Sequence, residues 1–116
     1  MARRRDPSFQ VLLTEMRSRD ALKAEGAFHF LLPRAADHIE DLIEAFEHEQ
    51  SHGVRCWLLE LIGEARTERG FDILRTHAVS EDEALRSWAI RGLQNLGSPT
   101  ARSVLFEKGL PRKPDD

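Results

Sequence analysis

Apolar residues recur along the chain at spacings of three and four, which is the pattern of helices that bury one side. Seven such stretches follow one another between Phe9 and Leu110, separated by short polar segments. No stretch alternates apolar and polar residues with period two, so no β-strand is predicted. The short connections predict antiparallel neighbours throughout, and therefore an all-α protein of seven packed helices.

Capping residues predict where the first helices begin and end. Asp6 with Pro7 marks the start of helix one, and Asp20 marks the start of helix two. Pro33 ends helix two and begins helix three, because proline fits the first helical turn and disrupts an interior. The apolar side of helix two is predicted to contain Leu22, Ala24, Ala27, Phe28 and Leu31.

The later boundaries follow from the same signals. Helix four is predicted to begin at Ser51 or His52, and helix five to span about 68–78. The segment Ser80–Glu83 matches a capping box, which predicts Ser80 as the cap of helix six. Gly97 fits the left-handed residue after a helix, and Ser98–Pro99 predicts the start of helix seven.

The most informative pattern is a tandem repeat. The hexapeptide 54–59, VRCWLL, returns 31 residues later as LRSWAI at 85–90. The same step relates four apolar pairs, which are Val11–Leu12, Leu42–Ile43, Ile73–Leu74 and Val104–Leu105. A fixed period filled with helical patterning predicts helix pairs that bury their apolar sides only by stacking. We therefore predict that Leu42, Ile43, Ile73, Leu74, Val104 and Leu105 share one core.

These residues make the chain similar to HEAT-like repeat proteins, in the short bacterial form also found in phycobilisome lyases. The last repeat carries the resemblance through Glu81–Asp82, Leu85–Arg86, Leu96–Gly97 and Val104–Leu105, and the one before it through Val54–Arg55 and Ile73–Leu74. The first repeat departs, with Ala24 in place of the arginine and an early Pro33. The resemblance covers roughly 20–110. It implies a right-handed α-solenoid of about three helix pairs plus a leading helix.

Length and composition bound the class of protein. A chain of 116 residues is one domain, expected at 7–110, with a basic tail at 1–6 and a disordered tail at 111–116. The single cysteine, Cys56, cannot form an internal disulfide, and no apolar run approaches the roughly 18 residues that span a bilayer. The basic start precedes an amphipathic helix, not a signal-peptide core, so a cytoplasmic protein is expected.

Charge is unevenly distributed along the chain, whose net charge is −3. The segment 37–49 contains six acids and no lysine or arginine, whereas 85–113 contains six bases and one acid. The segment 37–49 is interpreted either as a solvated helix side or as a surface for a basic partner. HEAT-like solenoids bind along the second helix of each pair, here helices three, five and seven. The outward residues predicted there are Glu40, Glu44, Glu47, Arg75, His77 and Arg102.

Two residue types recur at fixed repeat positions. Trp57 and Trp88 are predicted to fill the gap between stacked repeats, with an exposed aromatic ladder as the alternative. Arg55 and Arg86 are predicted to bond carboxylates or turn carbonyls of the neighbouring repeat. A phosphate-binding role for these arginines is the alternative, although it requires more such arginines and a basic groove.

One segment matches a metalloprotease motif. The sequence His48-Glu49-Gln50-Ser51-His52 is an HExxH, which binds zinc when both histidines share one helix side. The repeat register aligns it with the turn 79–83, so a continuous helix is not expected. A HEAT-repeat enzyme family, deoxyhypusine hydroxylase, binds two irons through several His-Glu pairs, and this chain has one. No catalytic residue, metal or cofactor is therefore predicted.

The sequence thus predicts a small, non-catalytic protein–protein interaction module, such as an adaptor, regulator or inhibitor. One alternative is a solenoid that binds nucleic acid, which the acidic segment 37–49 opposes. Another is an accessory protein of the lyase type that acts on a cofactor-bearing partner. Salt-dependent retention on heparin would indicate the first alternative, and visible absorbance of the purified protein would indicate the second.

Overall fold

The structure is a computed structural model and describes residues 7–112. Within these residues it contains seven α-helices, two 3₁₀ segments and no strand, which confirms the all-α prediction. In chain order the elements are α1 (Phe9–Met16), α2 (Ala21–Leu31), a 3₁₀ segment (Leu32–His38), α3 (Ile39–His48), α4 (His52–Glu64), a 3₁₀ segment (Glu68–Gly70), α5 (Phe71–His77), α6 (Glu83–Leu96) and α7 (Pro99–Glu107).

Two of the predicted helix caps were wrong. The hydroxyl of Ser8 caps α1 by accepting from the Val11 N–H at 3.2 Å, so Pro7 precedes the helix, and Asp6 lies outside the described residues. The carboxylate of Asp82 caps α6 by accepting from the Leu85 N–H at 3.0 Å. Ser80 lies two residues before that cap and instead closes the preceding turn.

The first repeat differs from its prediction in two further ways. Pro33 begins a 3₁₀ segment instead of helix three, which postpones α3 to Ile39. Leu22, predicted on the apolar side of α2, is 84% exposed. The buried side of α2 is formed by Ala24, Ala27, Phe28 and Leu31, and a residue two positions before Ala24 cannot face the same way.

The repeat extends from the helices into the turns. Three turns are closed by a side-chain oxygen that accepts from the backbone N–H two residues later: Ser18 to Asp20 (3.0 Å), Glu49 to Ser51 (3.1 Å) and Ser80 to Asp82 (3.0 Å). The accepting positions are 31 residues apart. Each turn therefore ends with the same hydrogen bond, immediately before α2, α4 or α6.

The stacked helices enclose one continuous core. It includes Leu42, Ile43, Leu74, Val104 and Leu105, and Ile73 is partly buried against it, which confirms the predicted core. Val11 is the exception within the four repeated pairs, because it is 49% exposed on the outer side of α1. The helices that begin each pair, α4 and α6, lie at the centre of the stack.

Two glycines allow α4 and α6 to cross closely. A Cβ atom added to Gly63 would lie 2.9 Å from the Cα atom of Gly92, and one added to Gly92 would lie 3.1 Å from the Cα atom of Gly63. The two backbones are thus in direct contact at this point. Among the described helices, none is both long and apolar enough to cross a membrane.

Candidate functional site

The outer side of α3 carries the densest set of exposed acids in the described chain. Helix α3 forms because Leu42, Ile43 and Phe46 recur at helical spacing and bury one side in the core. The opposite side is left to solvent. We call its four exposed acids the acidic ridge: Glu40, Asp41, Glu44 and Glu47.

One acid of the ridge already has a close ion-pair partner within the chain. Arg69 binds Glu40 through two contacts, of 2.6 Å from Nε and 2.9 Å from Nη2, which is a fork geometry. Asp41 lies 3.8 Å from His38 Nδ1. Of the four acids, only Glu40 is thus neutralised by an arginine, which holds it against the next repeat, and Glu44 and Glu47 have no ion-pair partner at all within residues 7–112.

Glu49 belongs to the acidic segment of the sequence but not to the acidic ridge. Its side chain is only 6% exposed and accepts from Arg17 Nη2 at 2.6 Å and Nε at 2.9 Å. Its other oxygen closes the turn before α4. Because both oxygens are used internally, Glu49 ties α1 to the turn after α3 and offers nothing to a partner.

A hollow lies beside the ridge, between α3 and α5. We call it the α3–α5 hollow; its volume is about 380 Å³, and it is lined by Phe46, Glu47, Arg55, Asp72, Ile73, Thr76 and His77. Ile73 provides apolar surface, whereas Phe46 is only 2% exposed and lies beneath Arg55. Glu47 and Asp72 add two negative charges and Arg55 adds one positive charge, so the lining is net negative. The hollow can therefore accept an apolar side chain that is flanked by a positive charge.

Two side chains fix the wall of this hollow. The guanidinium of Arg55 lies 4.1 Å from the centre of the Phe46 ring, and the His77 imidazole meets that ring edge-on at 5.0 Å. Burial lowers the pKa of His77 below its usual value, and the neighbouring Arg55 charge lowers it further. His77 is consequently neutral near pH 7. It forms part of a wall and is half-buried, whereas the sequence placed it among the outward residues.

The repeated arginines bind backbone carbonyls at equivalent positions. Arg55 Nη1 donates to the Phe46 carbonyl at 2.9 Å and the Glu49 carbonyl at 3.3 Å. Arg86 Nη1 donates to the Ser80 carbonyl at 2.8 Å. Glu49 and Ser80 are one repeat step apart. Both guanidiniums thus face the end of the preceding helix pair and hold its turn.

A family model described as HEAT repeats matches residues 39–116, which is the greater part of the chain. The chain belongs to the HEAT repeat family. The match begins at the first residue of α3, so α1, α2 and the 3₁₀ segment after Pro33 lie before it. No curated protein and no solved structure matches the chain. HEAT repeats commonly mediate protein–protein interaction, and the family is generally non-catalytic.

The tryptophans of the two complete HEAT repeats lie against the stack. The Trp57 ring stacks on the Phe28 ring, with centroids 4.9 Å apart and planes 24° apart, and so joins α4 to α2. Trp88 is also partly buried against the core. Both rings have the position expected of packing residues, not that of an open aromatic ladder.

The HExxH match is divided between two helices of the HEAT stack. Helix α3 ends at His48 and α4 begins at His52, so the histidines do not share a helix side. His48 Nδ1 lies 2.9 Å from the Glu44 carbonyl, and His52 Nε2 lies 2.8 Å from Asp82 Oδ2. Among the described residues, no group of three or more His, Cys, Asp or Glu is placed to hold a metal ion.

Cys56 lies close to this histidine without the features of a nucleophile. Its Sγ atom is 3.8 Å from His52 Nε2, the same nitrogen that contacts Asp82. Burial raises the pKa of the Cys56 thiol, and the charge of Asp82 raises it further. The thiol is therefore protonated at neutral pH, whereas nucleophilic cysteines require the thiolate.

The last helix of the HEAT stack carries a surface of opposite charge. Arg102 and Phe106 lie on the outside of α7, with Phe106 75% exposed, and both line a hollow together with Arg112 and Glu107, so its lining is net positive. We call Arg102, Phe106 and Arg112 the α7 patch. Sequence reasoning included Arg102 and missed Phe106. The repeat register contained the signal, because Phe106 is one step from Arg75 and two steps from Glu44, both exposed.

Proposed function

We propose that this HEAT-repeat chain is a protein-binding module that receives a basic surface of its partner on the acidic ridge. The observation that carries this proposal is the state of Glu44 and Glu47. Both are exposed on one side of α3, and neither has an ion-pair partner within residues 7–112. Like charges at this spacing destabilise an isolated helix by a few tenths of a kcal/mol. A basic partner relieves that repulsion.

The surroundings of the ridge suit a specific contact more than a general attraction of cations. The α3–α5 hollow adjoins Glu47, and its apolar surface, mainly that of Ile73, can contact an aliphatic or aromatic side chain of the partner. Buried apolar anchors of this kind supply most binding energy at protein interfaces, while surrounding charges steer the encounter. The acidic ridge also repels phosphate, which disfavours nucleic acid as the ligand.

The proposal assigns the chain the role of an adaptor, regulator or inhibitor in the cytoplasm and gives it no reaction to catalyse. Support comes from the generally non-catalytic character of the family and from the protonated thiol of Cys56. The arginines that could have bound phosphate, Arg55 and Arg86, donate instead to backbone carbonyls.

The test compares two charge reversals of equal size. Glu44→Lys with Glu47→Lys reverses the ridge, whereas Glu25→Lys with Glu81→Lys reverses two exposed acids on α2 and in the turn before α6. Tagged wild-type protein first captures its partners from the source cells, and mass spectrometry identifies them. The ridge reversal should lose the captured partner and the control reversal should retain it. Retention by both variants, with unchanged sensitivity to salt, would mean that the ridge is only solvated surface.

A further inference from the structure

The row of second helices, α3, α5 and α7, changes charge from one end to the other. Helix α3 carries the acidic ridge, and α7 carries the bases of the α7 patch. Between them, α5 presents Asp72 and Arg75, whose charged groups are 3.6 Å apart, so its outer side is close to neutral. The molecule therefore shows an acidic, a neutral and a basic strip in succession.

The repeat places these strips on the same side of the stack. Arg102 is two repeat steps of 31 residues from Glu40, and Phe106 is two steps from Glu44. Equivalent positions on successive helices point in the same direction, and all four residues are exposed. With helix axes about 8–10 Å apart, the acidic and basic strips are separated by about 20 Å.

We propose that a second copy of this chain is a partner of the acidic ridge, and that the two copies form a closed dimer through α3, α5 and α7. This proposal rests on the proposed function, because it uses the same ridge. A two-fold axis along α5 places α3 of each copy against α7 of the other. Both contacts are then made at once, which closes the assembly and leaves no end for further growth.

The charges are complementary in this arrangement. Because the axis keeps positions along the helices level, Arg102 of one copy lies opposite Glu40 of the other and Phe106 opposite Glu44, so the basic strip as a whole faces the acidic strip. Neither Arg102 nor Arg112 has an ion-pair partner within the described residues 7–112, so each is available for the contact. At the axis, Asp72 and Arg75 of one copy can exchange partners with the same residues of the other.

Phe106 supplies the apolar anchor. It is 75% exposed, and Arg102, Glu107 and Arg112 line the same hollow. The α3–α5 hollow has about 380 Å³ and apolar surface, mainly that of Ile73. The lining around Phe106 contains Arg102, Arg112 and Glu107 and is net positive, whereas that of the α3–α5 hollow contains Glu47, Asp72 and Arg55 and is net negative. We assign Phe106 of each copy to the α3–α5 hollow of the other.

The first test is sedimentation of the whole chain over a range of concentration and salt. A dimer is expected at low salt and high protein concentration, and it should dissociate as salt screens the charges. Phe106→Ala should raise the dissociation constant about 30-fold or more, as expected of a buried aromatic anchor. Leu22→Ala is the matched control, because Leu22 is 84% exposed on α2, away from the row. A chain that is monomeric throughout, or a dimer unaffected by Phe106→Ala, overturns the proposal.

The second test exchanges charges between copies. Glu44→Lys with Glu47→Lys makes both strips basic, and Arg102→Glu with Arg112→Glu makes both acidic. Each variant alone should be monomeric, since both of its contacts become repulsive, and their equimolar mixture should restore a dimer. Dimers of either variant alone, or a mixture that stays monomeric, contradict the proposed contacts. Assemblies larger than two copies contradict the closed arrangement.

These outcomes are separable from those of the proposed function. A monomeric wild-type chain removes the self-association alone, because capture of another protein by the ridge is measured independently. Conversely, a ridge reversal that disrupts the dimer and leaves capture of every other protein intact would restrict the ridge to self-association.

Discussion

The first repeat and the two later repeats reach similar packing with different residues. In the later repeats, Arg55 and Arg86 hold the preceding turn from the start of α4 and α6. The first repeat has Ala24 at that position and uses Arg34, which donates to the Phe30 carbonyl at 2.7 Å and lies 3.8 Å from the Phe30 ring centre. The family match covers the later repeats and begins only at α3. Periodic residues thus specify the packing of the two later repeats, and local contacts around Pro33 specify the packing of the first repeat.

The largest expected effect is a difference in stability loss between Leu74, which lies inside the stack, and Leu12, its repeat equivalent in the leading helix. Leu74→Ala should lower the free energy of unfolding by about 2–5 kcal/mol, because Leu74 is 1% exposed and its cavity is enclosed on several sides. Leu12→Ala, one buried residue of the leading helix, should cost less, since α1 can move to fill the space. Denaturant unfolding of both variants checks this. A loss under about 1 kcal/mol for Leu74→Ala would contradict the repeat assignment.

The second prediction is that a glycine-to-alanine substitution changes stability in opposite directions in a later repeat and in the first repeat. Gly63→Ala brings a Cβ atom to 2.9 Å from the Gly92 backbone, so we expect a loss of about 1–3 kcal/mol. Gly26 on α2 has no neighbouring atom within 4 Å of an added Cβ. Gly26→Ala should therefore stabilise the protein by about 0.5–1 kcal/mol through helix propensity. Thermal unfolding measures both changes, and equal signs would disprove the close crossing of α4 and α6.

The fold could be predicted from the sequence wherever the repeat is regular. The step of 31 residues gave the order of the helices, the shared core and the turn equivalence that the hydrogen bonds of Ser18, Glu49 and Ser80 display. It failed to identify two caps, because capping depends on which of several adjacent polar residues reaches the free N–H groups. Ser8 caps α1, where the repeat is least regular. Asp82 caps α6, and the repeat carried that signal, because the residues that precede α2 and α4, Asp20 and Ser51, lie two steps and one step before it.

The candidate site could be predicted only in part. Helical spacing was enough to place Glu40, Glu44 and Glu47 on one exposed side of α3. It could not show that Arg69 neutralises Glu40 or that Arg17 withdraws Glu49 from the surface, since these pairs join residues about 30 positions apart. Those long-range pairs decide which acids are left for a partner, and they shift the expected contact from Glu40 toward Glu47 and the α3–α5 hollow.

The third prediction concerns Arg55 as a link between repeats. Arg55→Ala removes two charge-assisted hydrogen bonds to carbonyls of the preceding turn, at 2.9 and 3.3 Å. Because the side chain is partly exposed, we expect a loss of about 1–2 kcal/mol. Arg34→Ala should cost less, since its single bond lies within one helical turn. Chemical denaturation of the two variants distinguishes them, and a larger loss for Arg34→Ala would reverse the proposed difference between the repeats.

The smallest expected effect is a dependence of stability on pH from His77. Its pKa is lowered in the folded protein from the ordinary 6.5, so the unfolded chain takes up a proton more readily. The contribution of His77 to the free energy of unfolding is therefore complete above about pH 6.5, and it falls as the pH decreases below that value. His77→Gln should therefore lose less stability between neutral and mildly acidic pH than the wild type. Identical pH profiles for the two proteins would contradict a half-buried, neutral imidazole.

The most direct test of the binding account is hydrogen exchange of the chain with and without its captured partner. The two regions again provide the comparison. Protection should increase in peptides from α3 (Ile39–His48) and α5 (Phe71–His77), which border the ridge and the hollow, and should stay unchanged in α2 (Ala21–Leu31). Protection that increases in α2 and leaves α3 unchanged would contradict the assignment of the second helices as the binding surface.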